Sequence, residues 1–237
     1  MLKYTNEDIK EAKTIINIVD SFLGIEDFTT DGYDNDYNYC LIQDLQSYLT
    51  ECSFEQGITK FVIVPNNLPF VIKVAFDKVI LDTDTYYYNY NYCEKESRIF
   101  NQAKINGYSN FLAETRLFLK GNSGHDYYIQ EKVIPADELE YNNKFVSSID
   151  TKFISENKTL SNYFKAFGTE LFSASCCQSY GIEKTMSFID FLNKDEALKC
   201  VLQDLHTRNF GWREENYTPV IFDYTGWEES EENLIKI

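Results

Sequence analysis

One short stretch near the end of the sequence combines a candidate general base with two side chains that could hold a divalent cation. Asp204 and Asn209 bound the hexapeptide Asp-Leu-His-Thr-Arg-Asn, and Asp223 follows the apolar run Pro-Val-Ile-Phe. A carboxylate beside the reacting groups can act as a general base. Mg²⁺ accepts a few amide and carboxylate oxygens and completes its shell with phosphate and water. The spacing therefore predicts Asp204 as a catalytic base and Asn209 and Asp223 as magnesium ligands.

A charged residue inside an apolar run indicates a second functional group. Lys73 lies in the middle of Phe-Val-Ile-Lys-Val-Ala-Phe, which has the composition of a buried strand. An ammonium group buried without an anionic partner is costly, so Lys73 requires a nearby carboxylate. The helix predicted to follow offers Glu96, with Glu94 as the alternative.

With these residues in this order, the chain resembles the protein-kinase-like superfamily over about residues 45 to 226. It is most similar to the aminoglycoside-kinase-like branch and to small kinase-like proteins of bacteria and phages. The resemblance implies ATP and Mg²⁺ as cofactors. It also implies that Lys73 holds the α and β phosphates and that Glu96 pairs with Lys73.

The same resemblance assigns further residues. Gln130 corresponds to the gatekeeper, and Glu131 to Val133 correspond to the hinge whose backbone meets adenine. Asp204 corresponds to the catalytic base. His206 replaces the catalytic-loop lysine of ordinary protein kinases, so the resemblance implies that His206 contacts the γ-phosphate or orients the base. The form Asp-Leu-His-x-x-Asn is common in kinases that phosphorylate small molecules.

Three features depart from the family pattern. The segment expected to be glycine-rich, Thr50 to Gly57, contains one glycine, which weakens the case for a phosphate cradle of backbone amides. The usual Asp-Phe-Gly triplet is replaced by Asp223-Tyr-Thr-Gly. The segment that follows Asp223 is too short for an activation segment and the helices beyond it, so we expect no activation by phosphorylation.

The patterning predicts an α+β protein, with strands in the first half and helices in the second. Apolar residues at helical spacing indicate an amphipathic helix over 5–23, capped by Thr5 or Asn6. By the resemblance, the fold is a protein-kinase-like bilobal one. Residues 1–133 would form an N-terminal helix, a lobe with a five-stranded antiparallel sheet, and the hinge. Residues 134–237 would form a reduced, mainly helical C-lobe with the catalytic and metal-binding loops.

Four shorter patterns complete the predicted elements. Strand-like runs at 58–64 and 69–76 flank the turn Pro-Asn-Asn-Leu, which indicates a hairpin. A helix is expected over 93–106, ending at Gly107. Two further strands flank the turn Lys-Gly-Asn-Ser-Gly-His, in which His125 is expected to be an exposed loop residue. The Tyr-rich tract 82–92 reads as a polar connector or as a loop that binds a partner.

Composition narrows the class of function. The 22 basic and 38 acidic residues give a net charge of −16, a field that disfavours nucleic acids and anionic membranes as partners. No apolar run is long enough to span a bilayer, and no signal segment is evident, so we expect a cytoplasmic protein, in the host cytoplasm if phage-encoded. The six cysteines lack metal-site or disulfide spacing and are expected to be reduced core residues.

Three functions from different classes fit these observations. The first is an ATP- and Mg²⁺-dependent phosphotransferase that acts on a hydroxyl of a protein or a small molecule. The second is a pseudokinase-like binding or regulatory module without phosphoryl transfer, whose acidic and Tyr-rich surface would meet a protein partner. The third is a nucleotidyl transferase that uses the same site. Intact polar residues at all five key positions favour the first.

Overall fold

The computed structural model describes residues 2–24, 28–31, 39–57, 59–82, 85–88, 91–136, 148–165, 169–203, 205–225 and 234–236. The described residues form two compact units. The first comprises those within Met1–Arg98, Glu114–Glu131 and Trp227–Ile237, and the second comprises those within Ile99–Ala113 and Lys132–Gly226.

Within this part of the chain, eight helices are present: α1 (Asn6–Leu23), α2 (Tyr39–Tyr48), α3 (Tyr92–Ile105), α4 (Lys152–Glu156), α5 (Lys158–Phe164), α6 (Glu170–Tyr180), α7 (Ile182–Asn193) and α8 (Glu196–Gln203). A 3₁₀ turn covers Ser109–Phe111. The strands are β1 (Thr29–Asp31), β2 (Cys52–Gln56), β3 (Lys60–Pro65), β4 (Phe70–Ala75), β5 (Lys78–Asp82), β6 (Thr85–Tyr88), β7 (Thr115–Lys120), β8 (Asp126–Glu131), β9 (Ile134–Pro135), β10 (Phe210–Trp212), β11 (Pro219–Ile221) and β12 (Leu234–Lys236). The protein is therefore of mixed α and β structure.

The first unit contains the five-stranded antiparallel sheet that the sequence predicts. Its strand order is β2-β3-β4-β8-β7, and all four strand pairs are antiparallel. Helix α3 lies in the sequence between β4 and β8. Successive residues of a strand point to opposite faces of a sheet, so each strand contributes to two different environments.

One face of this sheet forms the core of the first unit. Phe61 and Ile63 of β3 and Ile72 and Val74 of β4 all point to this face. All four residues are at most 1 % exposed. They belong to one apolar cluster with the buried face of α1, which includes Ile16. Burial of each large apolar side chain favours folding by roughly 1.5–3 kcal/mol.

Helix α1 follows its sequence signals closely. Thr5 is the N-cap, and its side chain accepts a hydrogen bond from the N–H of Asp8, whose carboxylate accepts one from the N–H of Thr5. This reciprocal capping box satisfies two amides that the helix leaves without partners. The prediction of a helix over 5–23 is thus confirmed, with Thr5 rather than Asn6 as the cap.

The Tyr-rich tract contains a strand, in contrast to the predicted connector or loop. Residues Thr85–Tyr88 form β6, which pairs antiparallel with β5 and with β12 in a sheet of order β1-β5-β6-β12. Thr and Tyr both favour extended structure. The low complexity of the tract concealed this preference, and β12, three residues long, carries no pattern that would identify it as a partner.

A buried carboxylate connects α1 to the hairpin formed by β7 and β8. Asp20 is 6 % exposed and accepts hydrogen bonds from Asn122 N (2.7 Å), Ser123 N (3.1 Å), the Ser123 hydroxyl and the Tyr127 hydroxyl (3.0 Å). The loop passes so close that a side chain at Gly121 would overlap the Asp20 carboxylate. Burial alone would raise the pKa of Asp20, but these hydrogen bonds outweigh it and lower the pKa below 3.8.

This carboxylate makes the stability of the first unit sensitive to acid. A pKa that is lower in the folded state contributes stability above the unfolded-state pKa, and the contribution is lost as pH falls through the folded-state value. We expect Asp20→Asn to lose about 1–3 kcal/mol at pH 7 and to show a flatter decline in stability below about pH 4. Urea unfolding at pH 7 and at several acidic pH values measures both effects. Asp44→Asn, which removes an exposed carboxylate of α2, is the control, and an Asp20→Asn curve parallel to the wild type would contradict the assignment.

His125 does not behave as an exposed loop residue, so that prediction is wrong. Its side chain is 8 % exposed and its Nε2 lies 2.9 Å from Asp77 Oδ2. Its Nδ1 lies 2.8 Å from the Ser123 hydroxyl. The glycines around it indicated a tight turn but carried no information on Asp77, which lies far away in the sequence.

The second unit is mainly helical. Helices α4 to α8 surround a single apolar cluster that includes Phe172, Phe188 and Trp212. A three-stranded antiparallel sheet of order β11-β10-β9 completes this unit. Gly211 in β10 allows the close approach of β9, since a side chain there would overlap the carbonyl of Ile134.

The division into units differs in detail from the predicted boundary at 133/134. The chain passes from the first unit into the second between Glu131 and Lys132. The segment Ile99–Ala113 also belongs to the second unit, because its apolar residues, among them Phe100 and Phe111, are part of the helical core. Strand β12 belongs to the first unit because it pairs with β6.

No helix among the described residues has the length and apolar character needed to cross a bilayer. All six cysteines are free thiols. Four are buried as predicted, but Cys40 is exposed and Cys52 is half-buried. Burial raises the pKa of the Cys177 thiol to about 11, which keeps it protonated and unreactive at neutral pH.

Candidate functional site

The predicted site residues fall into two groups, one in each unit. Lys73, Glu96, Gln130 and Glu131 belong to the first unit, and Val133, His206, Asn209 and Asp223 to the second. Asp204 lies outside the described residues.

The polar face of the five-stranded sheet holds the first group. Val62 of β3 is paired with Lys73 of β4, and Lys60 is paired with Ala75. Lys60, Val62 and Lys73 therefore lie on the same face, opposite the face that Phe61 forms with α1. The register of β3 with β4 thus places two lysines close together on neighbouring strands.

Glu96 of α3 is the partner of both lysines. Lys73 Nζ lies 3.1 Å from Glu96 Oε2 and 3.4 Å from Oε1. Lys60 Nζ lies 2.6 Å from Glu96 Oε1. The two lysine side chains are 4 % exposed and that of Glu96 is fully buried. One carboxylate is therefore shared by two ammonium groups inside the first unit.

The choice between the two candidate glutamates is settled by this geometry. Glu94 forms an ion pair with Arg98 at 2.5 Å, and its side chain is 45 % exposed. Both residues lie on α3, two positions apart, and a helix turns by about 200° over two residues, so they point in different directions. The pairing of Lys73 with Glu96 is confirmed, while a role of the pair in holding a nucleotide stays a prediction.

The polar network continues to the neighbouring strands. The Gln130 side chain is 1 % exposed, and its Nε2 donates to Thr115 Oγ1 at 2.7 Å and to Glu96 Oε2 at 3.4 Å. Gln130 is paired with Thr115 across β8 and β7, so the two side chains share the polar face. The predicted gatekeeper therefore helps to orient the carboxylate that holds the lysines.

The predicted hinge residues lie at the end of β8 and just beyond it. The backbone N–H of Glu131 donates to the Glu114 carbonyl at 3.0 Å, and the Glu131 carboxylate accepts from the Glu114 N–H at 3.3 Å. Val133 is half-buried. These contacts hold Glu131, the first of the hinge residues that the resemblance assigns to adenine recognition.

In the second unit, one hairpin brings two predicted magnesium ligands together. Phe210 is paired with Ile221 across β10 and β11, so Asn209 and Asp223 lie at the same end of the hairpin. The Asn209 carbonyl accepts hydrogen bonds from Phe222 N at 2.9 Å and Asp223 N at 3.3 Å. These bonds continue the hydrogen-bond pattern of β10 and β11 by one residue and keep Asn209 next to Asp223.

His206 occupies the turn between α8 and β10. It is exposed, its Nδ1 accepts from the Arg208 N–H at 3.2 Å, and its carbonyl accepts from the Asn209 N–H at 2.9 Å. Leu205 beside it is 6 % exposed and belongs to the helical core. The turn is thereby anchored to the unit whose hairpin carries Asn209.

The residues at the end of the hairpin are chemically suited to magnesium. Asn209 supplies an amide oxygen and Asp223 a carboxylate, and a small protein contribution of this kind matches a metal that takes its other ligands from phosphate and water. Asn209 is 5 % exposed. Groups of three or more His, Cys, Asp or Glu residues placed to hold a metal are absent from the described residues.

Sequence reasoning missed Lys60 and Thr115. Lys60 lies at the start of a strand, where a lysine normally indicates an exposed end. Its contact with Glu96 depends on the β3–β4 register and on the direction of α3, neither of which local sequence reveals. Thr115 carries no distinguishing signal, because threonine is common in strands.

Comparison with known proteins does not assign the chain to a family. No protein-family model, curated protein or solved structure matches the chain.

Proposed function

We propose that this protein is an ATP- and Mg²⁺-dependent phosphotransferase with a reduced protein-kinase-like bilobal fold. The observation that carries the proposal is the buried contact of Lys73 with Glu96. Lys73 lies on the third strand of the five-stranded sheet in chain order, and Glu96 lies on the next helix, α3, which follows after β5 and β6. By the resemblance, this combination holds the α and β phosphates of ATP.

The order of the elements agrees with this proposal. Three strands of the five-stranded sheet, β2 to β4, precede helix α3, and its other two strands, β7 and β8, follow α3 before the predicted hinge; β5 and β6, which lie between β4 and α3, belong to a different sheet. The mainly helical segment comes next and ends with the hairpin of Asn209 and Asp223. The positions of Lys73, Glu96, Asn209 and Asp223 in this order support the proposal.

Each residue has a defined chemical task under this proposal. The acceptor hydroxyl oxygen forms a bond to the γ-phosphorus while the bond to the β,γ-bridging oxygen breaks and ADP leaves. Asp204 takes the proton of the hydroxyl, and His206 orients the base or the γ-phosphate. Lys73, fixed by Glu96, neutralises charge on the α and β phosphates. Magnesium, held by Asn209 and Asp223, would neutralise charge on the β and γ phosphates.

One feature favours a second candidate, a binding module that holds nucleotide without transfer. Strands β2 and β3 are paired regularly up to Gln56 and Phe61, and the Gly57 N–H donates to the Lys60 carbonyl at 3.0 Å. The turn between them is therefore short, unlike an extended glycine-rich loop that wraps phosphates with backbone amides.

Incubation of the purified chain with γ-labelled ATP and Mg²⁺ separates the two candidates. We expect label on the chain itself or on a component of added cell lysate. A parallel reaction with α-labelled ATP should transfer nothing, whereas transfer of that label would indicate a nucleotidyl transferase. Nucleotide binding with no transfer of either label would favour the binding module.

A further inference from the structure

Lys60 is the unexpected member of the buried cluster on the polar face. The family resemblance accounts for one lysine on this carboxylate, Lys73. Here a second lysine, from the preceding strand, contacts the same carboxylate at the shorter distance of 2.6 Å. A buried ion pair is weak evidence for stability, because the cost of desolvating the charges can exceed their attraction. An apolar residue at position 60 would fill the same space without that cost.

The position of Lys60 in the chain indicates what it could do. It is the first residue of β3 and directly follows the turn that begins at Gly57. This turn takes the place of the glycine-rich segment, which has lost the glycines that would let backbone amides approach phosphate. An ammonium group at the base of the same turn can neutralise phosphate charge that those amides would otherwise bind.

We propose that Lys60 and Lys73 together bind the phosphate groups of the nucleotide, with Glu96 as the shared residue that orients both. This proposal rests on the proposed function for the identity of the ligand. Each ammonium group has three N–H donors on a flexible four-carbon chain. It can therefore keep one hydrogen bond to Glu96 and direct another to a phosphate oxygen. Because both lysines are buried, binding exchanges some of their present contacts for contacts with phosphate.

The arrangement predicts that Lys60 contributes to the affinity for the phosphate part of the nucleotide and not to the affinity for its adenosine part. Lys60 recognises the phosphates alone, so it should contribute to the binding of ATP and of inorganic tripolyphosphate and not to that of adenosine. Loss of one hydrogen bond between charged groups corresponds to about 10–100-fold in affinity. Lys60→Arg keeps the charge and should keep most of the affinity.

The test compares Lys60→Met with the wild type by calorimetric titration of the full chain with MgATP, tripolyphosphate and adenosine. Lys120→Met is the matched control, because Lys120 is a lysine of the same unit whose side chain is 73 % exposed. We expect Lys60→Met to weaken the binding of MgATP and tripolyphosphate by about 10–100-fold. Adenosine binding and the thermal unfolding temperature should change little, and the control should bind all three as the wild type does.

The outcomes separate this proposal from the proposed function. If Lys60→Met binds MgATP and tripolyphosphate like the wild type, the proposed role of Lys60 is wrong. The phosphotransferase proposal is unaffected by that result, because it is tested separately by the transfer of γ-label. Tripolyphosphate binding that depends on Lys60, without any γ-label transfer, would support the anion site and contradict the phosphotransferase. A wild-type protein that binds neither phosphate compound overturns the anion site itself.

A measurement on the wild-type chain covers the case in which Lys60→Met fails to fold. In protein labelled with ¹³C at the lysine ε-carbon, the Lys60 signal is identified by its absence from Lys60→Arg. Tripolyphosphate should shift the signals of Lys60 and Lys73 and leave that of Lys120 in place. A Lys60 signal that does not move at saturating tripolyphosphate would contradict the proposal.

Discussion

Under the proposed phosphotransferase function, Asp204→Asn is expected to lower phosphoryl transfer by about 10²–10⁴-fold, the range that removal of a general base produces. Asparagine has nearly the same size and shape as aspartate but cannot accept the proton of the acceptor hydroxyl. The nucleotide is assigned to Lys73, Asn209 and Asp223 instead, so binding of MgATP should remain as in the wild type. Transfer of γ-label and titration with MgATP measure the two effects separately.

Two further variants define the role of Asp204. Asp195→Asn, an exposed aspartate at the start of α8, removes the same charge from the same unit and should leave transfer unchanged. Asp223→Asn should weaken the magnesium-dependent part of ATP binding as well as transfer, because it removes a proposed metal ligand. An Asp204→Asn protein with full transfer activity would show that another group takes the proton.

Glu96→Ala is expected to lower the free energy of unfolding by about 3–5 kcal/mol, the usual cost of removing one partner from a buried ion pair. The Glu96 side chain is fully buried and contacts both Lys60 and Lys73. Its removal takes this carboxylate away from two ammonium groups that are held out of water. Urea unfolding followed by circular dichroism gives the change.

The same helix supplies the control for this measurement. Glu94→Ala removes a carboxylate two residues away that pairs with Arg98 on the surface, and exposed pairs of this spacing contribute about 0.3–0.5 kcal/mol. Adding Lys60→Met to Glu96→Ala should recover part of the loss, because one of the two buried charges is then absent. Equal losses for Glu94→Ala and Glu96→Ala would contradict the arrangement.

The elements that the sequence predicts correctly are those specified by local signals. Thr5 and Asp8 form a cap within one turn of helix, and the Pro-Asn-Asn-Leu turn joins two adjacent apolar runs. Lys73 could be matched to Glu96 because a lysine in a buried strand requires a carboxylate and the next helix offers few. In each case the information lies within about one or two elements of the chain.

The features that the sequence does not reveal depend on contacts between distant segments. Lys60 reaches Glu96 only because the β3–β4 register places it beside Lys73. The His125 side chain contacts Asp77, which lies 48 residues away in the sequence, and Asp20 binds a loop more than 100 residues away. A reading of sequence periodicity assigns each residue to a helix, strand or turn but does not specify these partners.

The sheet of order β1-β5-β6-β12 has a consequence for how the chain is made. Thr85–Tyr87 pair with Leu234–Lys236, residues that the ribosome adds well after β6 has emerged. Until then, one side of β6 presents unpaired N–H and C=O groups, which invite pairing with another chain. At elongation rates of about 5–20 residues per second, this edge remains open for roughly 7–30 seconds during synthesis. Completion of this sheet is therefore a late step in biogenesis, and nascent chains are most prone to self-association during that interval.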